Sequence, residues 1–265
     1  MFRLVVLIIL LTSCGRFISS QKMKRHLKSN PPGTVHLKDN IYIDKTEIAN
    51  VHYREFLFWI VRNDSIHYEE YLPDTLVWRS DTLYNEDLVE VYFRHPGYNM
   101  YPAVGISYDQ AVDFCKWRTD RVNEFIQRHP DKKRKYKKVL YRLPSEEEWT
   151  MAAADGLDIN SYPFGMTELF DKKNRLRIYC NRYLDKRVPD KYPSEPLTAN
   201  TYSFYPNNLG IYQLQGNMSE MITEKGKAKG GHYLLPLDSC KIKMDHFYEG
   251  PEAWLGFRCV CEIIE

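Results

Sequence analysis

Residues 141–149 read Tyr141-Arg142-Leu143-Pro144-Ser145-Glu146-Glu147-Glu148-Trp149, and they set the organisation of the chain. Ser145 and Glu148 stand three apart, in the pattern by which a hydroxyl and a carboxylate reciprocally satisfy the first free backbone donors of a helix. Trp149 and the small run Ala152-Ala153-Ala154 follow, so a short helix is expected here. The same signature precedes it at Ser107 and Gln110, ahead of Ala111, Phe114, Cys115, Val122 and Phe125, which predicts a longer helix. Further upstream, Asn50 is an expected N-cap for a helix with Tyr53, Phe56, Leu57 and Ile60 on one face. Strands are expected over 35–43, 210–214, 228–233 and 257–264. Between the first two helices, 63–101 has no helical period but carries turn signals at Pro73-Asp74 and Pro96-Gly97, and it reads as a long ordered insertion. Two or three helices beside short strands and long ordered loops make an α+β domain.

The 265 residues suit one domain of roughly 200–250 residues after an N-terminal leader. Lys and Arg number 37 against 35 for Asp and Glu, a balance that points away from nucleic acid as a partner. Arg3, the apolar run Leu4 to Leu11 and then Leu11-Thr12-Ser13-Cys14 read as a targeting signal, the run being too short to span a bilayer. Leu-Thr-Ser-Cys resembles a bacterial lipobox, which implies a signal peptide over 1–13 and lipidation of Cys14; the alternative is an ordinary secretory peptide with a chance cysteine. A triacylated cysteine suffices for stable membrane anchoring. Residues 14–34, with Lys22, Lys24, Arg25, His26 and Lys28, read as a solvated tether, and 35–265 as the folded domain. Five cysteines remain beyond Cys14, an odd number, so at least one thiol is left unpaired if disulfides form.

Five motifs occur in order along the chain: Ile43-Asp44-Lys45-Thr46-Glu47-Ile48-Ala49-Asn50, Tyr101-Pro102-Ala103-Val104-Gly105-Ile106-Ser107, the 141–149 stretch, Asn208 to Glu220, and Gly256-Phe257-Arg258-Cys259-Val260. Together they resemble the formylglycine-generating enzyme/sulfatase-modifying-factor domain, from about Ile41 to Val260. The resemblance implies a C-type-lectin-like fold. Three further stretches, Pro73 to Trp78, Tyr92-Phe93-Arg94-His95-Pro96 and Phe114 to Thr119, are similar to the gliding-motility and type IX secretion lipoproteins built on that fold. This narrower likeness implies an outer-membrane, lipid-anchored component whose partners are envelope proteins of a multi-protein assembly. The residues after Cys14 are not acidic, unlike the export tag of some surface lipoproteins, which favours a periplasm-facing anchor.

The resemblance also assigns sites. The family's enzymes hold copper(I) between two cysteines five residues apart; in Gly230 to Cys240, Cys240 falls on the second position and Leu235 on the first. A soft monovalent metal gripped by two thiolates is not held by one thiolate and an isobutyl group, so no copper is expected. His232 stands where the family has Ser, and Ser219 and Met221 where it has Trp. His232 reads as a packed or surface side chain or, alternatively, a base or ligand. No zinc cluster or three-histidine iron spacing is evident. A disulfide between Cys115 and Cys259 is implied, with Cys261 as the rival partner and two buried free thiols as the alternative. That closure is worth about 4–5 kcal/mol in the chain-entropy model. Cys180 and Cys240 are a further candidate pair. Calcium is implied at Asn217, Glu220 and the Met218 carbonyl, and at a second site formed by Asn181, Asp190 and the carbonyls of Arg182 and Tyr192. Turn hydrogen bonding is the competing role for Asn217 and Glu220. The expectation is a non-enzymatic scaffold. A ligand-binding lectin-like module is the alternative, and an oxidase using Cys240, alone or with Cys180, a third.

Overall fold

The computed structural model describes residues 30–79, 85–181 and 197–265. Cys14 and the leader therefore lie outside the described residues, as do Arg182, Asp190 and Tyr192 of the second expected calcium site. In chain order the structure runs β1 (Thr34–Lys38), β2 (Ile41–Asp44), α1 (Asn50–Asn63), α2 (Glu86–Val91), α3 (Tyr108–Arg128), β3 (Val139–Arg142), α4 (Glu146–Ala154), β4 (Ser219–Met221), β5 (Lys227–Lys229), β6 (Asp245–Phe247), β7 (Leu255–Gly256) and β8 (Val260–Ile263). The α+β architecture with short strands and long ordered loops is thus present.

One antiparallel sheet has the order β1-β2-β8-β3; the other has the order β6-β5-β4-β7, with β4 and β7 parallel. The last strand, β8, sits between β2 and β3, placing Cys261 between Tyr42 and Tyr141. Alternation along this sheet separates two cores. Cys259 and Cys261 face the cluster of Tyr53, Phe56, Phe114 and Phe257, whereas Val260 faces Ile41, Ile43, Trp149 and Ile222. Helix α3 covers the outer edge of β3. Asn123 exchanges two 2.9 Å side-chain hydrogen bonds with the Val139 backbone, and the Tyr141 N–H donates to the Thr119 hydroxyl at 2.8 Å. An otherwise unpaired strand edge is satisfied by helix side chains.

Both expected capping boxes form, at Ser107/Gln110 and Ser145/Glu148. Four expectations are corrected. The N-cap of α1 is Ala49; Asn50 is the first helical residue, and its amide donates to the Tyr92 and Tyr98 carbonyls at 3.1 and 3.0 Å. The 35–43 segment is a hairpin, broken at Asp39, whose φ is +43°. No strand forms over 210–214, where Gln213 adopts φ +55°, a left-handed conformation that extended pairing does not accept. The described residues of the insertion carry helical turns at Ser65–Tyr71, Thr75–Trp78 and Pro96–Tyr98 as well as α2, so the described residues hold four α-helices. Its anchor is Tyr92, buried against Trp78 at 4.5 Å between ring centres, with its hydroxyl donating to the Pro102 carbonyl at 2.8 Å. Gly105 closes the base: a Cβ there would meet the Asp74 carbonyl oxygen at 2.1 Å.

Candidate functional site

The loop from Gly230 to Cys240 follows β5 and carries the expected remnant positions. Gly231 has φ +70°, and a Cβ on it would fall 2.8 Å from the Cys240 Sγ, so glycine is required for the loop to fold over that sulfur. Cys240 ends the turn Leu237–Cys240 and is fully buried. Burial, reinforced by Cys180, pushes its thiol well above the usual range. Leu235 sits at a turn, its N–H donating to the His232 carbonyl at 3.0 Å and its carbonyl accepting from the Asn181 N–H at 2.7 Å. His232 stacks on Trp254 with 4.6 Å between ring centres. Its Nδ1 accepts from the Leu234 N–H at 3.4 Å, and burial next to His246 lowers its pKa to about 3, so it is neutral at physiological pH. It is a packed side chain.

A second polar cluster, fully enclosed, lies where β4 meets the chain before β8. Glu220, on β4, receives the Arg258 guanidinium: Nε donates to Oε2 at 2.6 Å, and Nη2 donates to Oε1. Trp149 Nε1 also donates to Oε2, at 2.8 Å. The other Arg258 donors reach the Asp44 and Tyr212 carbonyls at 3.1 and 2.9 Å. Asn217, at φ +62°, accepts on Oδ1 from the Ala199 N–H at 2.7 Å and donates from Nδ2 to Glu47 Oε1 at 2.8 Å. Burial pushes the Glu47 carboxyl up to about 8; Arg258 opposes the shift and Glu220 adds to it. Its Oε2 has no hydrogen-bond partner.

These contacts test the expected calcium site. Both Glu220 oxygens already face a buried guanidinium, and the Asn217 oxygen is aimed at a backbone N–H. A divalent cation would sit beside Arg258 in a medium that screens repulsion poorly. As arranged, Asn217, Met218 and Glu220 do not fit calcium; Arg258 already supplies the positive charge. Among the described residues, no three His, Cys, Asp or Glu side chains converge as a metal centre. Of the second site, the structure describes only Asn181, whose amide Nδ2 donates to the Leu234 carbonyl at 3.4 Å.

Cys115 and Cys259 are brought together. Their Sγ atoms are 3.5 Å apart and both stand as thiols. Cys261 shares the face of Cys259 but interacts with the Tyr141 hydroxyl instead.

Sequence reasoning quoted Glu47 and Arg258 in motifs but gave them no role. Their signal was a carboxylate and a guanidinium in segments otherwise reading as core. It also missed a cleft of about 330 Å³ between α1 and α3, lined by Glu47, His52, Phe114, Trp117, Arg121 and Tyr202. Trp117 Nε1 and Arg121 Nε are buried without hydrogen-bond partners.

A family model described as a sulfatase-modifying factor enzyme 1-like domain matches residues 8–263. The formylglycine-generating enzyme of Thermomonospora curvata is 29% identical over 121 residues, covering 45% of this chain and 32% of that protein. The mouse protein named inactive C-alpha-formylglycine-generating enzyme 2 is 30% identical over 122 residues, covering 45% of this chain and 30% of its own. The chain thus spans about a third of the length of these relatives. The solved structure of CarF matches with TM-score 0.57 and 18% identity over 88% of this chain and 93% of that one, a likeness of fold.

Proposed function

The chain belongs to the family of sulfatase-modifying factor enzyme 1-like domains, and from that premise we propose that it is a non-catalytic binding component of an envelope protein assembly, held at the outer membrane by a lipid on Cys14. The observation carrying this reading is the pairing at the remnant site. The position five residues before Cys240 is Leu235, and the Cys240 sulfur is enclosed beneath Gly231. An isobutyl group offers no electron pair to copper(I), and a buried thiol raised above its usual range resists the deprotonation a metal requires. A relative named inactive supports the same direction.

The docking surface in this reading combines the outer face of α1 with the insertion that follows it. Ile66 is 88% exposed, Phe58 59% and Leu76 52%, with Val61 and Leu72 also exposed. In this reading these exposed apolar side chains form one patch for a protein partner to cover. Tagged full-length protein, extracted with detergent from membranes of its source cells, is expected to recover envelope proteins, and Ile66→Asp with Phe58→Asp to lose them. Recovery no better than an untagged control, or undiminished by the double substitution, sinks the reading. The gliding-motility and type IX secretion likeness makes those assemblies the first place to look.

A second reading is a ligand-binding module using the cleft between α1 and α3. Its support is the aromatic wall of Phe114, Trp117 and Tyr202 beside Glu47 and His52.

A further inference from the structure

Cys180 and Cys240 lie far apart in sequence, yet the fold seats both in one apolar cluster with Phe164, Leu176, Ile178 and Leu237. Cys180 is 1% exposed and Cys240 0%. The backbone holds the two segments against each other at several points. Tyr179 bridges Gly216, its carbonyl accepts from the Asn217 N–H at 2.7 Å, and the Asn181 N–H donates to the Leu235 carbonyl at 2.7 Å. The Gly216 N–H in turn donates to the Gly230 carbonyl at 2.9 Å, next to the residue that lies on the Cys240 sulfur. Cys180 is therefore held, by the residues on both sides of it, against the loop that carries Cys240.

We propose that Cys180 and Cys240 are a structural dithiol that closes into an intramolecular disulfide as the chain folds in an oxidising compartment. The two Sγ–H groups give up two protons and two electrons, one Sγ–Sγ bond forms, and the electrons reduce an external disulfide to two thiols. Burial suppresses thiolate in the finished fold, so the bond forms while the segment is still open to exchange, and afterwards the cluster shields it. The bond clamps the 178–181 segment onto the remnant loop, supplying from a different part of the chain a covalent partner for the cysteine that Leu235 leaves alone. The proposal is independent of the assembly role.

The test is a linkage map. Full-length protein is refolded in mixed reduced and oxidised glutathione, its remaining thiols are alkylated under denaturing conditions, and non-reduced digests are read by mass spectrometry. A peptide pair joining Cys180 to Cys240 in most of the protein is expected, as is alkylated Cys180 in Cys240→Ser. Recovery of both cysteines alkylated in the wild-type protein, or of either joined to a different cysteine, overturns it. The wild-type map decides the matter even where Cys240→Ser does not fold.

Discussion

Glu47, Glu220 and Arg258 show how little a residue's chemistry says until its neighbours are known. Both carboxylates are buried, and of the two the Arg258 guanidinium bonds only Glu220. Glu220 takes the ion pair, so Glu47 retains its proton up to about pH 8. The folded chain therefore binds that proton more tightly than the unfolded chain, whose carboxyl titrates near 4.5. The stability linked to it is fully present below about pH 4.5 and is lost as pH rises through about 8. Glu47→Gln keeps a neutral side chain at every pH. Urea unfolding across this range is expected to show wild-type stability falling with pH and a flatter curve for the variant. Parallel curves would mean that Glu47 is ionised throughout. Asn217 and Glu220 were legible as a cation's partners; that the cation is an arginine thirty-eight positions on was not, because nothing local connects the two.

Helices α3 and α4 were the most legible elements, because a capping box is a local transaction completed within four residues. In α4 the Ser145 hydroxyl accepts from the Glu148 N–H, and the Glu148 carboxylate returns to the Ser145 N–H while pairing with Arg142. Ser145→Ala is expected to cost about 1 kcal/mol in urea unfolding, and Ser107→Ala a similar amount. A loss below a few tenths of that would show the caps to be redundant. The insertion was less legible. Its helical turns are held by Tyr92 packing on Trp78 from a different part of the insertion and by Asn50 reaching in from α1, so no internal period announces them. The missing strand at 210–214 has the same origin. The Asn207 side chain accepts from the Ile211 N–H at 3.0 Å, fixing a turn where hydrophobic spacing alone suggests extension.

At the scale of the whole molecule, Cys115 on α3 and Cys259 before β8 tie the first core to the last strand. Their thiols are in contact across the centre of the fold, and oxidation would close a loop of well over a hundred residues. Oxidised wild-type protein is expected to exceed oxidised Cys115→Ser in stability by about 4–5 kcal/mol, with the difference shrinking to about 1 kcal/mol once both are reduced. An unchanged difference after reduction would show that the pair acts only through packing. The two sheets meet at Arg258, which bonds to the chain at Asp44 and Tyr212 and to β4 at Glu220. The residue that answers the Glu220 charge thus also joins the halves of the domain.

The α+β class, the capped helices, the leucine five residues before Cys240 and the cysteines that could pair were all set by the amino-acid sequence, because each depends on residue identity and short spacing. Which charge answers Glu220, which sulfur Cys115 meets and what encloses Cys240 were decided only in three dimensions. Those contacts join residues separated by long stretches of chain, and a buried polar or sulfur group takes its character from whatever the fold brings beside it.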